Sequence, residues 1–335
     1  MDGPLVSCIL EWENAEALEQ DEARQFLNGL VARLADQARQ TNRRMELILV
    51  HDEDVSAEAL RADLAACPDL RDGRLDVRLL RAPGAAYYEK KGLAAQFATG
   101  EVILYADSDC AYGPGWIEAL TGPILRDAAD LCHGATEARM APGVIAATSA
   151  LAWFFPVPDR ADPLHARAGS RFFANNFAVR ASAIRAVPMP RVAGSRTTGG
   201  PFRRRMRDAG FRLVFVPEAI ASHRQYDTLA TLFARAWVLG CDHDASSFIE
   251  GAGRAKRIRR AVMATLRKPV AFLRRQAAVG GRVLTPAQWP VVLVLGLAFQ
   301  LTAAAAQLWS ALTARHRAEI PTYGDLRAAA DLTGA

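Results

Sequence analysis

Short apolar segments alternate with longer amphipathic ones over residues 5–106 of the chain. The apolar segments predict buried strands over residues 5–10, 45–50, 75–80 and 102–106. Apolar residues at helical spacing predict helices over residues 15–40, 56–67 and 85–98, with Ser56 as a capping residue. Strands that alternate with helices of this length are typical of βαβ units, so we expect an α/β fold with a mostly parallel mixed sheet.

Polar clusters follow three of these predicted strands, at residues 11–14, 51–54 and 107–109. The carboxyl ends of parallel strands meet at one edge of a sheet, where the ligands of such folds bind. We therefore expect the three clusters to converge on one rim. Farther along, the pattern predicts strands over residues 130–134, 173–180 and 213–223, and helices over residues 114–125 and 199–209.

The cluster after the fourth strand contains two carboxylates one residue apart, Asp107 and Asp109. Hard divalent cations such as Mg²⁺ and Mn²⁺ bind oxygen ligands, commonly one or two carboxylates together with substrate phosphate oxygens. The alternative is a solvated turn or a helix cap. The position at the end of a buried strand favours a metal site that neutralises a diphosphate.

Several elements occur in a fixed order along the chain. They are Val6-Ser-Cys-Ile-Leu10 leading to Asn14, Glu46-Leu-Ile-Leu-Val-His-Asp52, Lys91-Gly92 followed by Ala98-Thr-Gly-Glu101, Asp107-Ser-Asp109, Pro114-Gly-Trp116, and Arg205-Met-Arg-Asp-Ala-Gly210 leading to His223. Together they resemble the inverting glycosyltransferase family 2, which has a GT-A fold. The resemblance implies a transferase that uses a nucleoside-diphosphate sugar and a divalent metal, Mg²⁺ or Mn²⁺.

The same resemblance implies roles for individual residues. Asp52 would read the nucleotide base or ribose, Asp107 would lie near the ribose and the metal, and Asp109 would bind the metal directly. His223 would complete the metal or diphosphate site, although a lone histidine is more often structural. The nucleotide would also be contacted by Asn14, Lys90 and Lys91, with a solvated helix face as the alternative for each lysine.

The chain departs from the family where a Gly-Glu-Asp-like segment usually supplies the catalytic base. Thr197, Thr198 and Gly199 stand there instead. An inverting transfer to a hydroxyl group needs a base, and the remaining candidates are Glu137, Asp162 and Asp208. Arginines follow in the same predicted helix, so Arg204 and Arg205 are candidates for contact with an anionic acceptor; a solvated basic face is the alternative.

The last third of the chain changes character. Lys and Arg are frequent over residues 254–282, acids are absent, and apolar residues recur at helical spacing, which is typical of an interfacial helix. Residues 283–314 carry no charge, and residues 289–312 have the length of a transmembrane helix. If this helix spans, the preceding positive charge places the enzyme domain in the cytoplasm, at the inner membrane. A buried core helix and an in-plane helix are the alternatives.

These observations predict how the chain is divided into domains and segments. We expect a GT-A domain over residues 1–245, with a nucleotide-binding half over 1–110 and an acceptor half over 111–245. A basic amphipathic segment at 246–282, a hydrophobic membrane segment at 283–314 and a tail at 315–335 follow. The five cysteines show no ligand spacing, so neither a disulfide framework nor a zinc site is indicated. No secretion signal is evident at the N-terminus.

The expected function is sugar transfer to a lipid or lipid-linked acceptor at the cytoplasmic membrane face. The missing base motif keeps open a catalytically impaired member that serves as a membrane-bound scaffold or partner subunit. A nucleotidyltransferase is less favoured, because no Gly-rich loop follows the first strand. Nucleic-acid binding is not expected, since the basic stretch runs into an apolar segment. The sequence does not indicate an oligomeric state.

Overall fold

A computed structural model describes residues 6–13, 20–41, 44–71, 73, 75–139, 143–153, 171–225, 228–313, 315–316, 318–320 and 322–334, without the side chains of residues 20, 41 and 279–283. Its main feature is a mixed sheet. Across this sheet the strands follow in the order Asp331–Gly334, Leu75–Arg81, Met45–His51, Val6–Glu11, Val102–Asp107, Phe177–Arg180, Leu131–Arg139, Leu213–Arg224 and Cys110–Tyr112. A second, two-stranded sheet pairs Arg191–Val192 with Glu319–Ile320.

The N-terminal half of the sheet is parallel. Its elements are β1 (Val6–Glu11), α1 (Gln20–Thr41), β2 (Met45–His51), α2 (Ala57–Ala65), β3 (Leu75–Arg81), α3 (Tyr87–Ala94) and β4 (Val102–Asp107). β1 pairs in parallel with both β2 and β4, and β2 pairs in parallel with β3. The carboxyl ends of these strands therefore lie at one edge.

The following segment adds mainly antiparallel pairings. Its elements are β5 (Cys110–Tyr112), α4 (Trp116–Leu125), β6 (Leu131–Arg139), α5 (Val144–Trp153), β7 (Phe177–Arg180), α6 (Ala181–Ala186), β8 (Arg191–Val192), α7 (Gly199–Asp208) and β9 (Leu213–Arg224). β7 is antiparallel to β4 and to β6, and β9 is parallel to β6 and antiparallel to β5.

Three long helices and a short return to the sheet complete the chain. They are α8 (Leu229–Ile249), α9 (Arg254–Val283), α10 (Trp289–Thr313), β10 (Glu319–Ile320), α11 (Gly324–Ala329) and β11 (Asp331–Gly334). β11 pairs antiparallel with β3, so the last segment joins the edge of the N-terminal half. Tyr323 is buried in the same apolar cluster as α3.

Alternation along the central strands explains why both sheet faces are covered. Cys8 and Leu10 face a core formed with α1 and α4, whereas Ile9 faces a second core formed with α3, α6 and α7. A strand with apolar residues on both faces is stable only between two helical layers. A third cluster joins α5, α8, α9 and α10.

The mixed α/β fold predicted from the sequence is confirmed, and the predicted strands correspond to β1–β4, β6, β7 and β9. Ser56 caps α2 as predicted, because its Oγ accepts a hydrogen bond of 3.2 Å from the Ala59 N–H. The sequence reasoning did not predict α8 or the return of residues 319–334 to the sheet. The domain bounds proposed from the sequence stay predictions.

Candidate functional site

The three polar clusters meet at the carboxyl edge of the parallel strands. In the sheet register, Glu11 lies opposite Val50 on one side and Asp107 on the other. We call this edge the acidic rim, defined by Glu11, Asp52, Asp107 and Asp109. Asn14 and Asp162 fall outside the described residues, so their predicted roles stay predictions.

A tight cluster of potential metal ligands lies on the acidic rim. The ligand atoms of Asp107, Asp109, Cys110 and His223 all lie within 4.8 Å of one another. His223 reaches this place because β9 pairs with β5, which sets His223 opposite Cys110. The structure thus brings together the three metal ligands predicted from the sequence and adds Cys110.

Hydrogen bonding orients the His223 ring. Its Nδ1 donates to the carbonyl oxygen of Arg224, which leaves Nε2 facing Asp109 Oδ2 at 3.4 Å. Metal-binding histidines are commonly held by such a backbone carbonyl on the other ring nitrogen. Nε2 is therefore the ring nitrogen that is directed into the cluster.

The other cluster members differ in their suitability for a hard cation. Burial raises the pKa of Asp109, and the neighbouring Asp107 adds to the rise, while His223 opposes it. A divalent cation would relieve both the burial and the repulsion between the two carboxylates. Burial also raises the pKa of the Cys110 thiol well above its usual range. Cys110 is thus a protonated, soft group beside two hard oxygen ligands.

Lys91 neutralises Asp107 in the protein interior. Its Nζ contacts Asp107 Oδ1 and also donates to the Ala174 carbonyl oxygen at 2.8 Å and to Tyr87 Oη at 3.1 Å. The Lys91 side chain is fully buried and Asp107 is 3% exposed. Lys91 therefore fixes the first carboxylate of the rim, and this arrangement does not present its ammonium group to solvent.

Lys90 pairs with acidic residues near Asp52, the residue predicted to contact the nucleotide. Its Nζ lies 3.0 Å from Asp52 Oδ2 and 3.2 Å from Glu13 Oε2. Burial raises the pKa of Asp52, but hydrogen bonds from the Glu53 N–H and from Lys90 outweigh this and leave the pKa lowered. Glu13 also pairs with Arg196 at 3.2 Å. Asp52 is therefore a charged hydrogen-bond acceptor on the acidic rim.

Next to the cluster of potential metal ligands lies a cavity of about 710 Å³. Asp107 and His223 form part of its wall, so the cavity opens directly onto this cluster. Its lining includes six arginines, and we call it the arginine cavity: Arg171, Arg196, Arg203, Arg204, Arg207 and Arg235. Two aspartates lie among the same lining residues, Asp107 and Asp242.

The arginines raise the positive potential of this cavity. Burial, together with the charge of Arg275, lowers the pKa of Arg171 to about 10. Burial and the nearby Arg207 likewise lower the pKa of Arg203. Like charges held this close favour the binding of an anion.

The structure separates the two arginines predicted to contact the acceptor. Arg204 lines the cavity and also pairs with Glu250 at 3.0 Å. Arg205 instead forms a bidentate pair with Glu319, at 2.6 and 2.7 Å, and is not among the lining residues. Spacing around α7 explains the difference, because successive helical residues project about 100° apart.

The two described candidates for the catalytic base lie away from the cavity lining. Glu137 is half-buried on β6 and accepts a hydrogen bond of 3.2 Å from Ser222 Oγ. Asp208 is exposed at the end of α7 beside Arg207. Neither is among the residues that line the arginine cavity.

Asp242 of α8 is an acid that the sequence reasoning missed. Its carboxylate accepts hydrogen bonds from Ser195 Oγ at 3.1 Å, the Arg196 N–H at 2.7 Å and Thr197 Oγ1 at 3.1 Å. It therefore holds the loop where the family usually places its acidic pair. No local motif marks Asp242, since it lies in a helix that is apolar on average.

Close packing explains the glycine at the start of α7. A Cβ atom at Gly199 would lie 2.2 Å from Tyr88 Oη. Both Asp107 and Asp242 raise the pKa of Tyr88, although burial is the larger cause, so Tyr88 lies between the two acids. An acidic side chain at position 199 would collide with Tyr88.

Comparisons with known proteins found one family and several solved structures. Residues 21–180 match the family described as glycosyl transferase family 2. A mannosyltransferase from Pyrobaculum calidifontis, PcManGT, solved with GDP-Man and Mn²⁺, superposes with a TM-score of 0.55 at 16% identity, over 92% of this chain and 88% of that one. TarS from S. aureus, solved with UDP-GlcNAc, gives a TM-score of 0.46 at 12% identity, over 92% of each chain. No curated protein gave a significant match.

The match over residues 21–180 supports a family 2 glycosyltransferase, and the mixed α/β structure has the GT-A fold. This match also supports glycosyltransferase activity with nucleotide-sugar donors. The individual site residues predicted from the sequence stay predictions, now with the positions given above.

Proposed function

We propose that this protein transfers a sugar from a nucleoside-diphosphate donor to a lipid or lipid-linked acceptor that carries a phosphate group, at the cytoplasmic face of the membrane. The observation that carries the proposal is the opening of the Asp107, Asp109 and His223 cluster onto the arginine cavity. One side of the site suits a cation with a diphosphate, and the other suits an anionic acceptor.

On the donor side, the ligand set fits a divalent cation. Two carboxylates and a directed imidazole nitrogen converge, and the desolvated Asp109 gains from a positive charge. Asp107, Asp109 and His223 would hold Mg²⁺ or Mn²⁺, which neutralises the charge that develops on a departing diphosphate. Asp52 lies on the same rim, where its charged oxygens can accept hydrogen bonds from the base or ribose.

On the acceptor side, the lining carboxylates in the described part of the chain are already engaged. Asp242 accepts three hydrogen bonds, and Asp107 is held by Lys91 and Tyr87. An acceptor phosphate needs no base, because its oxygen is already an anion. That oxygen would form a bond to the anomeric carbon while the bond from this carbon to the diphosphate breaks, and no proton is transferred. The arginines would hold the phosphate by charge-assisted hydrogen bonds.

Membrane attachment of the acceptor is supported by the C-terminal helices. α9 borders the arginine cavity, because Lys268 Nζ contacts Nδ1 of the cavity residue His243 at 3.0 Å. One described helix, α10, is long and apolar enough to cross a membrane. A lipid-linked substrate held at a basic and apolar surface would reach the cavity without leaving the bilayer.

Thermal denaturation with nucleotides tests the donor site. We expect UDP or GDP to raise the melting temperature only when Mn²⁺ or Mg²⁺ is present, since ligands that bind the folded state stabilise it. Asp109→Ala should abolish this metal-dependent shift and lower transfer at least about 100-fold. Asp208→Ala, an exposed acid outside the cavity, is the matched control and should retain both.

A negative result in this assay would contradict the transferase. If the wild-type protein is well folded and no nucleotide stabilises it with either metal, the scaffold alternative is favoured. Transfer to a bacterial lipid extract, lost when the extract is treated with phosphatase, then tests the acceptor class separately.

A further inference from the structure

The C-terminal segment constrains how the apolar helix α10 can meet a membrane. After α10, residues 319–320 pair with β8 and residues 331–334 pair with β3 of the N-terminal half. Arg191 of β8 also forms a bidentate hydrogen-bonded pair with Asp325, at 2.7 and 3.0 Å. A helix that crossed a bilayer once would leave residues 319–334 on the far side, away from these partners.

One side of α10 is part of the protein core. Gln300 Nε2 donates to the Ala152 carbonyl oxygen of α5 at 2.7 Å, and Ser310 Oγ donates to Asp244 of α8 at 2.9 Å. A Cβ atom at Gly296 would lie 2.0 Å from the ring of Phe272 on α9, which shows how closely the helices pack. These contacts hold α10 against the rest of the domain.

The other side of α10 is an exposed apolar stripe. It contains Val291, Val294, Leu301, Trp309 and Leu312, of which Val294 is 65% exposed. At about 100° per residue these positions fall within a sector of roughly 100° around the helix axis. The stripe runs along the length of the helix rather than around it, which is the pattern of a helix with one protein face and one apolar face.

α9 carries a second stripe of the same kind. Val262, Met263, Leu266, Val270 and Leu273 are 36–65% exposed and occupy a sector of roughly 100°. The exposed basic residues Lys256, Arg267 and Arg274 lie along one edge of this stripe.

The remaining face of α9 is attached to the protein. Arg257 forms a buried ion pair with Asp244 at 3.0 Å, and Phe272 is fully buried. α9 runs antiparallel to α10, since Arg254 contacts the Leu312 carbonyl oxygen and Gln276 that of Trp289. The helix therefore has a protein face, an apolar face and a basic edge.

We propose that α9 and α10 form an in-plane docking surface for a bilayer rich in anionic lipids, and that α10 does not cross the bilayer. Charge complementarity identifies the partner. A helix with an apolar face, flanking cations and no acids among residues 254–283 matches the boundary between acyl chains and anionic headgroups. This surface does not depend on transferase activity, so it stands or falls apart from the proposed function.

Sedimentation with lipid vesicles tests the surface. We expect the protein to bind vesicles in which phosphatidylglycerol makes up about a third of a phosphatidylcholine mixture, and to bind pure phosphatidylcholine at least about tenfold more weakly. The double variants Leu266→Glu/Leu273→Glu and Arg267→Gln/Arg274→Gln should each weaken binding at least about tenfold. The matched controls Val214→Glu and Arg71→Gln, exposed residues elsewhere on the domain, should bind like wild type.

Other results would overturn the docking surface. One such result is binding that changes neither with the lipid charge nor with these substitutions. Another is the absence of binding to either kind of vesicle. A second copy covering the stripe is also testable, because light scattering without vesicles would then show a dimer that Leu266→Glu/Leu273→Glu dissociates.

Side-specific labelling tests the topology. All five cysteines are buried, so Asp331→Cys and Glu58→Cys introduce accessible thiols on the tail and on α2. In sealed membrane vesicles we expect a membrane-impermeant maleimide to label both from the same side, and alkaline carbonate to release the protein. Labelling from opposite sides together with resistance to carbonate would show a crossing helix and contradict the proposal.

Discussion

On the acidic rim, buried carboxylates lie beside lysines, whereas six arginines line the arginine cavity. Three of these arginines also pair with acids, namely Arg196 with Glu13, Arg204 with Glu250 and Arg207 with Asp208. Asp107 is neutralised by Lys91 and Asp52 by Lys90 within the fold itself. Arg171 and Arg203 instead have lowered pKa values through burial and neighbouring arginines. Asp107 and Asp52 thus have cationic partners before any ligand binds, whereas Asp109 would gain from a bound cation. The arginine cavity would gain from a bound anion.

This difference bears on catalysis. The lysines hold Asp107 and Asp52 in fixed positions, as a preorganised site for a cation and a diphosphate requires. In the proposed function, the arginine cavity would select an anionic acceptor. Such an acceptor would also account for the missing acidic pair, because it makes a general base unnecessary.

The largest expected effect is on stability and comes from the acidic rim. Lys91→Met removes the cation beside Asp107 and leaves a carboxylate that is 3% exposed without its charge partner. We expect a loss of about 3–5 kcal/mol in the free energy of unfolding, measured by urea denaturation. Lys90→Met is the matched control, because its partners Glu13 and Asp52 are 29% and 27% exposed and can be hydrated. Equal losses for the two variants would contradict the distinction.

An intermediate effect is expected on the acceptor side. Arg203→Gln removes one cavity cation, and a charge-assisted hydrogen bond contributes about 1.5–3 kcal/mol. The KM for the phosphate-bearing acceptor should rise roughly 10- to 100-fold, while the melting shift caused by nucleotide and metal stays as in wild type. Arg126→Gln, at a 68% exposed side chain directly after α4, should change neither quantity. A loss of nucleotide binding in Arg203→Gln would contradict the assignment of the acceptor to the arginine cavity and of the nucleotide to the acidic rim.

The smallest effect is expected from Asp242. Because the proposed acceptor oxygen needs no deprotonation, Asp242→Asn should lower kcat by less than about tenfold, and its pH profile should keep the wild-type shape. A general base would cost about 100- to 10,000-fold in rate. A loss of that size with normal nucleotide binding would make Asp242 the base and the acceptor a hydroxyl group.

Much of the fold could be read from local patterns. The alternation of apolar runs with amphipathic segments predicted β1 to β4 and the helices between them, because burial on both sheet faces requires apolar residues at every position. The Asp107 and Asp109 pair was found in the same way, since it ends one of these runs. The sequence patterns did not predict α8, which lies between β9 and the basic helix α9. This helix carries Asp242, Asp244 and Arg235.

What the sequence alone determined about this protein is therefore its βαβ core, the carboxylates at the end of β4, and the basic and apolar character of α9 and α10. Only the tertiary structure decided that His223 faces Asp109, that Asp242 holds the loop before α7, and that residues 319–334 return to the sheet. Local patterns report which apolar residues are buried, because the transfer of an apolar side chain out of water is favourable. Which residues meet depends on strand pairing between distant segments, and that is settled by the packing of the whole chain.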